Sequence, residues 1–229
     1  MNESQNLPWK RLFVEAAAIV ASILLAFAID AWWEDRQIRI DEQQVLLGLG
    51  TEFVTNHEVL SRELASHLKN LQSLEDILLL IEGDHFGDAK SIAIAALDEM
   101  QAPKTTDLGN GTLDALLSSG RIEILSSRKL RAHLTAWEGV IGEVLDDQSN
   151  NAKMTFETYV PYFVNENYSI FAIWRSSDGS AAIKRMSEDP RFRHLVEIRL
   201  HYKKHLTGEL ETAIAAAEEI LAEIETSIK

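Results

Sequence analysis

The chain lacks cysteine and has few turn-forming residues, and each shortage excludes a class of structure. Its 229 residues include no cysteine, four prolines and eleven glycines. Without cysteine there are no disulfides, no thiolate metal sites and no cysteine nucleophiles. So few prolines and glycines leave little scope for a β fold rich in turns.

Basic residues are also scarce. The chain has 22 lysines and arginines against 36 aspartates and glutamates, a formal net charge of −14. This balance argues against nucleic acid as a partner and against a module that binds anionic membrane surfaces. Nucleophile elbow, phosphate-binding loop, dinucleotide fingerprint and zinc-protease motif are all missing from the sequence. We therefore expect neither an enzyme nor a cofactor.

The most prominent feature that is present is an apolar segment from Leu12 to Trp33, preceded by Lys10 and Arg11. A helix over this segment is about 33 Å long, enough to cross a hydrocarbon core of about 30 Å. Trp32 and Trp33 end it, and tryptophan favours the headgroup level of a bilayer. The sequence thus predicts a short N-terminal tail (1–11), a transmembrane helix (12–33) and a helical-bundle domain (34–229), with the lipid bilayer as a partner.

The segment allows two other interpretations. A cleaved signal peptide would end at Ala26-Phe27-Ala28, but Glu15 lies inside its hydrophobic region and the helical pattern continues past Ala28. A buried arm of a soluble protein would need an equally apolar partner segment, which the sequence lacks. The basic pair Lys10–Arg11 before the segment favours a soluble domain on the outer side of the membrane.

Beyond the segment, helical periodicity dominates and predicts an all-α protein. The membrane helix is expected to continue to about Glu82. Further helices are predicted at Asp88–Gln101 with Asp88 as N-cap, Thr112–Ser119, Ser127–Asn165 with a break at Pro161, and Pro190–Ser227. The connector Arg121–Leu125 is compatible with extended backbone. Three long helices plus short ones predict an elongated antiparallel bundle.

Polar and small residues recur along one face of the membrane helix. They are Glu15, Ala18, Ser22, Ala26 and Asp30. Small residues let helices approach closely, and a carboxyl group in lipid needs a partner or water. The stripe predicts a homo-oligomer or an ion path; alternatively, the two acids simply mark the interfaces and stay hydrated.

Histidines on the last helix suggest a metal site. His194, Glu197, His201 and His205 share one helical face, and His67 with Glu63 would add ligands from the first helix. Paired Glu-x-x-His motifs on two helices, typical of di-metal bundles, are missing from the sequence. Lys203 and Lys204 instead favour a solvated face for this stretch.

Two further segments each allow a functional and a structural interpretation. Tyr159–Trp174 is rich in aromatics, which line a small-ligand pocket together with Asn165, Asn167 and Arg175, or else plug one end of the bundle. Thr112–Arg121 contains Ser118-Ser119-Gly120, which favours a tight turn over an anion site because these residues finish a helix.

Two stretches of the chain resemble a bacterial protein family of unknown function. The first is Ile23–Arg36, which contains the signature Asp-x-Trp-x-Glu-x-Arg at residues 30–36 and is followed by Glu52-Phe53 and Asn56; the second is Thr112–Gly120, ahead of Ile124-Leu125 and Leu130. The resemblance implies an N-terminal anchor in the bacterial inner membrane and a helical domain, which the charge bias would place in the periplasm. It implies no chemistry.

These observations lead to one hypothesis and two alternatives. The hypothesis is a single-pass membrane protein whose bundle acts in protein interaction, scaffolding or ligand sensing, self-associates, and binds another membrane or periplasmic protein. The alternatives are a metal-binding redox or storage bundle and a homo-oligomeric ion pathway around Glu15.

Overall fold

In a computed structural model, residues 9–83, 88–103, 105–176 and 180–228 are described. Every regular element in these ranges is helical, so the predicted all-α class is confirmed. Most of the predicted tail, together with the side chains of Lys10 and Arg11, lies outside the described residues.

The first helix, α1, spans Trp9–Glu82 without interruption. Its 74 residues correspond to a length of about 111 Å. The N-terminal part of α1 contacts no other element: its most apolar 18-residue window is 0% buried, and Phe27, Trp32 and Trp33 are exposed. From Asp41 onward α1 packs against the rest of the chain.

The other elements follow in chain order. They are α2 (Ala89–Gln101), α3 (Gly111–Ser118), a 3₁₀ turn (Arg121–Ile124), α4 (Arg128–Met154), a π turn (Thr155–Tyr159), α5 (Val160–Asn165), α6 (Ile170–Arg175), α7 (Ser180–Glu188) and α8 (Pro190–Ile228). Asp88 caps α2 as predicted, since its side chain accepts from the Lys90 amide.

The last helix, α8, runs antiparallel to α1. His57 of α1 lies 3.2 Å from Glu218, whereas Glu75, further along α1, lies 2.9 Å from Lys204. The residue numbers rise on one helix as they fall on the other.

Helix α8 is also antiparallel to α4, so α1 and α4 run in the same direction. Lys129 at the start of α4 pairs with Glu223, and Asp147 near its end pairs with His205. Parallel neighbours need a return connection, which α2, the following loop and α3 provide. The loop is fastened to α1 where Asn56 donates to and accepts from the backbone of Gly109.

The three long helices bury residues at alternating steps of three and four. On α8 the buried positions are Phe192, Val196, Arg199, Lys203, Leu206, Leu210, Ala213, Ala217, Ile220 and Ile224. On α4 they are Leu130, Leu134, Trp137, Ile141, Val144, Gln148, Asn151 and, continuing into the π turn, Thr155. This heptad spacing keeps one side of each helix inside along the whole bundle.

The buried apolar residues form two separate clusters. One lies near the end of the bundle adjoining the exposed part of α1, and includes Phe53, Leu60, Trp137 and Leu210. The other lies at the far end, and includes Leu74, Phe163 and Phe192. The middle level between them is polar.

Two local expectations need correction or refinement. Arg121–Leu125 is not extended: it begins with a 3₁₀ turn, because Gly120 takes a left-handed φ of 67° and reverses the chain after α3. The predicted break at Pro161 takes the form of the π turn directly before α5. Pro161 has no N–H to continue the regular ladder, so the helix changes its hydrogen-bond spacing there.

Candidate functional site

The exposed part of α1 carries the residues predicted to mediate self-association. The stripe from Glu15 to Asp30 lies on an exposed face, and Ser22 Oγ donates to the Ala18 carbonyl at 2.8 Å. Its hydroxyl is therefore satisfied within the helix. The Trp32 and Trp33 rings lie 6.4 Å apart, and the Arg36 guanidinium lies 5.9 Å from the Trp32 ring.

The second candidate site is a buried polar layer in the middle of the bundle. We define the polar layer as Glu63 and His67 of α1, Glu99 of α2, Asn151 and Thr155 at the end of α4, and Arg199 and Lys203 of α8. Apart from Glu63, all are buried. The expectation that Lys203 faces solvent is thus wrong, because Lys203 occupies an inward heptad position while Lys204 points outward.

Glu99 is the acidic centre of the polar layer. Its Oε1 lies 2.7 Å from Lys203 Nζ and 3.3 Å from Arg199 Nη2. Arg199 Nη2 also donates to the Glu99 carbonyl at 2.9 Å. One carboxylate on the short helix α2 thereby meets two cations of α8.

Arg199 also attaches α8 to the π turn that ends α4. Its Nη1 donates to Asn151 Oδ1 at 3.2 Å and to Thr155 Oγ1 at 3.3 Å. The guanidinium lies 5.5 Å from the centre of the Tyr159 ring. Burial raises the pKa of Tyr159 to about 12, with the Arg199 charge opposing, so the phenol is neutral at physiological pH.

Lys203 attaches α8 to α1. Its Nζ lies 2.7 Å from His67 Nδ1, and a charged ammonium must be the donor of that bond. The other ring nitrogen of His67, Nε2, lies 3.9 Å from Glu63 Oε2. The Glu63 side chain is 26% exposed, so this row of groups runs from Glu99 inside the bundle to the solvent.

Buried charges are costly unless they are paired, so the polar layer restricts how the helices can pack. Removing ions from water carries a penalty that their attraction offsets only when partners and geometry are good. A shift of α8 along α1 by one heptad would bring Arg199 or Lys203 into an apolar cluster. The arrangement suits selection of one helix register.

Of the residues predicted to bind a metal, His67 and Glu63 belong to this layer, whereas the four on α8 lie outside it on an exposed face and have different contacts. His194 Nδ1 is 3.8 Å from Glu197, His201 packs its ring on Tyr202, and His205 Nδ1 is 2.6 Å from Asp147 of α4. Among the described residues, no three histidine, aspartate or glutamate side chains converge as metal ligands do. The metal site therefore stays a prediction without a supporting geometry.

The aromatic segment divides into buried and exposed parts. The Tyr162, Phe163 and Tyr168 rings contact one another, and Phe163 and Tyr168 also contact Phe192, which makes them the plug of the far end. Exposed rings follow on α6. A groove of about 340 Å³ runs beside them, lined by residues that include Val164 and Phe171.

The tight turn predicted at Ser118–Gly120 is present, and the start of α3 is occupied by a side chain of α1. The Glu52 carboxylate accepts from the amides of Thr112 at 2.6 Å and Leu113 at 3.2 Å. Asn56, one turn further along α1, holds Gly109 in the preceding loop. Glu52 thus fastens α1 to the second family-like stretch, and Asn56 fastens α1 to the loop just before that stretch.

The predictions from the sequence did not include a buried contact among Glu99, Arg199 and Lys203. The heptad spacing of α8 would have found two of them, because the apolar positions Val196 and Leu206 continue inward through 199 and 203. No local signal marked Glu99, whose role depends on where α2 docks.

Comparison with known proteins adds no identification. No protein-family model, curated protein or solved structure matches the chain. The resemblance to a bacterial family of unknown function stays a prediction that rests on the residues quoted above.

Proposed function

We propose that this protein is a single-pass, membrane-anchored helical bundle that acts through protein interaction, scaffolding or ligand sensing and self-associates in the membrane. One observation carries the proposal: the most apolar part of the chain, 0% buried, belongs to the same unbroken helix as the bundle core. An exposed apolar surface that covers an 18-residue window of a helix favours contact with lipid over contact with water.

The position of the bundle fits this anchoring. Packing begins at Asp41, about 12 Å along α1 from Trp33, and Asp41 pairs with Arg121 at 3.2 Å. The bundle would therefore stand directly above the headgroups. Heptad spacing over the long helices supports coiled-coil packing.

Fractionation of cells expressing the full chain tests the anchor. We expect the protein in the membrane pellet, resistant to high salt and alkaline carbonate, and released by detergent. A variant with Ile19→Asp and Leu25→Asp should move to the supernatant, since each central charge costs about 2.5–3.5 kcal/mol. Its bundle should keep its helicity, because both positions are exposed on α1. Wild-type protein in the supernatant would overturn the proposal.

The absence of cysteine makes sidedness directly measurable. We infer a bundle in the periplasm of a bacterial cell, and Thr212 is an exposed position on α8. In intact cells, Thr212→Cys should react with a membrane-impermeant maleimide. Labelling only after lysis would place the bundle in the cytoplasm.

A further inference from the structure

A buried pair of nitrogen groups joins α1 to α8 in the middle of the bundle. The side chains of His67 and Lys203 are 1% and 2% exposed, and His67 Nδ1 lies 2.7 Å from Lys203 Nζ. A hydrogen bond between two nitrogens needs an acceptor, which a neutral imidazole has, whereas imidazolium and ammonium have donors only. The bond is therefore lost when both groups carry their full number of protons.

Charged groups from three helices surround this pair. Glu99 of α2 lies 2.7 Å from Lys203, and Glu63 of α1 lies 3.9 Å from His67. Arg199 of α8 shares the Glu99 carboxylate with Lys203, at 3.3 Å. From the end of α4 and the π turn, the polar layer receives two uncharged side chains, those of Asn151 and Thr155.

The polar layer is balanced in charge while the imidazole of His67 is neutral, because two cations then face two carboxylates. A proton on His67 adds a third cation, 2.7 Å from the ammonium of Lys203. The Glu63 carboxylate lies further from the ring, at 3.9 Å, and is partly exposed, so its attraction is weaker than that repulsion. Acid thus leaves an uncompensated charge inside the bundle, which is strongly unfavourable.

We infer that the His67–Lys203 contact is an acid-sensitive latch: a proton from solvent binds the imidazole, breaks the contact and loosens α8 from α1 at the polar layer. Protonation of histidine is a common switch because its charge changes near neutral pH. The latch lies between the two apolar clusters, so it changes the middle of the bundle first. The inference rests on contacts inside the bundle and is independent of the proposed membrane anchoring.

Thermal unfolding of the full chain in detergent tests the latch, between about pH 8 and about pH 5, where histidine changes charge. The unfolding midpoint of the wild type should fall by about 2–4 °C more than that of His67→Gln. Glutamine keeps a polar side chain at this position but takes up no proton. The matched control is His201→Gln, since His201 is exposed on α8, and its midpoint should fall as far as that of the wild type.

The other side of the contact supplies a second variant. Lys203→Met should also remove the additional fall in midpoint, because a protonated His67 then meets no ammonium. Equal falls in the wild type, His67→Gln and Lys203→Met would overturn the inference.

Hydrogen exchange of the wild type gives a local measurement that does not depend on the folding of any variant. After correction for the intrinsic pH dependence of exchange, amides of residues 196–206 should lose protection at about pH 5, while those of residues 210–224 should keep it. Unchanged protection of residues 196–206 would overturn the latch. Loss of protection along all of α8 would overturn it too, because it would show global unfolding.

Discussion

Glu99 is the residue on which the buried cations depend. It is 3% exposed and is the acid that Arg199 and Lys203 share. A neutral replacement would leave both cations inside the bundle without that charge, and breaking a buried pair in this way is strongly unfavourable.

We expect Glu99→Gln to lower the free energy of unfolding by about 3–5 kcal/mol. Adding Lys203→Met should recover part of the lost free energy of unfolding, because it removes one of the two buried cations that the glutamine side chain does not neutralise. Thermal unfolding followed by circular dichroism in detergent measures both. The matched control is Glu138→Gln on the exposed side of α4, expected to stay within about 0.5 kcal/mol. Equal effects of Glu99→Gln and Glu138→Gln would contradict the paired layer.

His205 should make stability depend on pH. Its hydrogen bond to Asp147, together with the charge of that carboxylate, raises the pKa of the imidazole, while desolvation opposes the shift. A raised pKa in the folded state stabilises below the unfolded value of about 6.5 and loses its effect as pH rises through the folded value.

The midpoint of thermal unfolding of the wild type should thus fall, relative to His205→Gln, as pH rises from about 6 through the folded pKa of His205. His201→Gln serves as control, since His201 packs on Tyr202 and its replacement should leave the pH trend intact. An identical pH trend in wild type and His205→Gln would show that the His205–Asp147 pair does not form.

At the scale of elements, the effect of replacing a glycine depends on whether it lies inside a helix or in a turn. Gly139 of α4 and Gly208 of α8 lie in helices with open space where a Cβ would be. Gly120 also has open space, but its φ of 67° is left-handed. The same substitution should therefore have opposite effects at the two kinds of position.

We expect Gly139→Ala and Gly208→Ala each to stabilise the protein by about 0.5–1 kcal/mol, because alanine loses less backbone entropy in a helix. Gly120→Ala should destabilise it by about 1–2 kcal/mol through left-handed strain. Denaturant unfolding of the three variants measures the sign directly. A stabilising Gly120→Ala would mean that the turn after α3 has a different backbone conformation.

At the scale of the whole molecule, the bundle and the exposed part of α1 are separable. Trp9 and residues 12–39 of α1 are exposed and contribute no member to either apolar cluster. Deleting residues 1–39 should therefore yield a water-soluble helical protein.

The truncated protein should unfold with the same midpoint as the full chain in detergent, and it should be monomeric in size-exclusion chromatography. The midpoint should persist because both apolar clusters and the polar layer lie C-terminal to the deletion. Aggregation or loss of cooperative unfolding would show that the bundle depends on the segment.

Much of the architecture followed from local patterns. The features that predicted it each depend on residues close together in the chain: apolar periodicity, the Asp88 cap, Pro161 and the helix start at Pro190. The conformation of the Arg121–Leu125 connector did not follow from its local pattern. Its apolar and polar residues are compatible with extended backbone as well as with a 3₁₀ turn, and the structure has the 3₁₀ turn.

The sequence by itself determined the helical class, the exposed apolar segment and most helix boundaries, because each depends on short-range spacing and backbone preference. Only the tertiary structure decided that α2 brings Glu99 to meet Arg199 and Lys203, and that α1 and α4 run parallel. Those outcomes depend on pairing among helices far apart in the chain, where the cost of an unpaired buried charge selects one register.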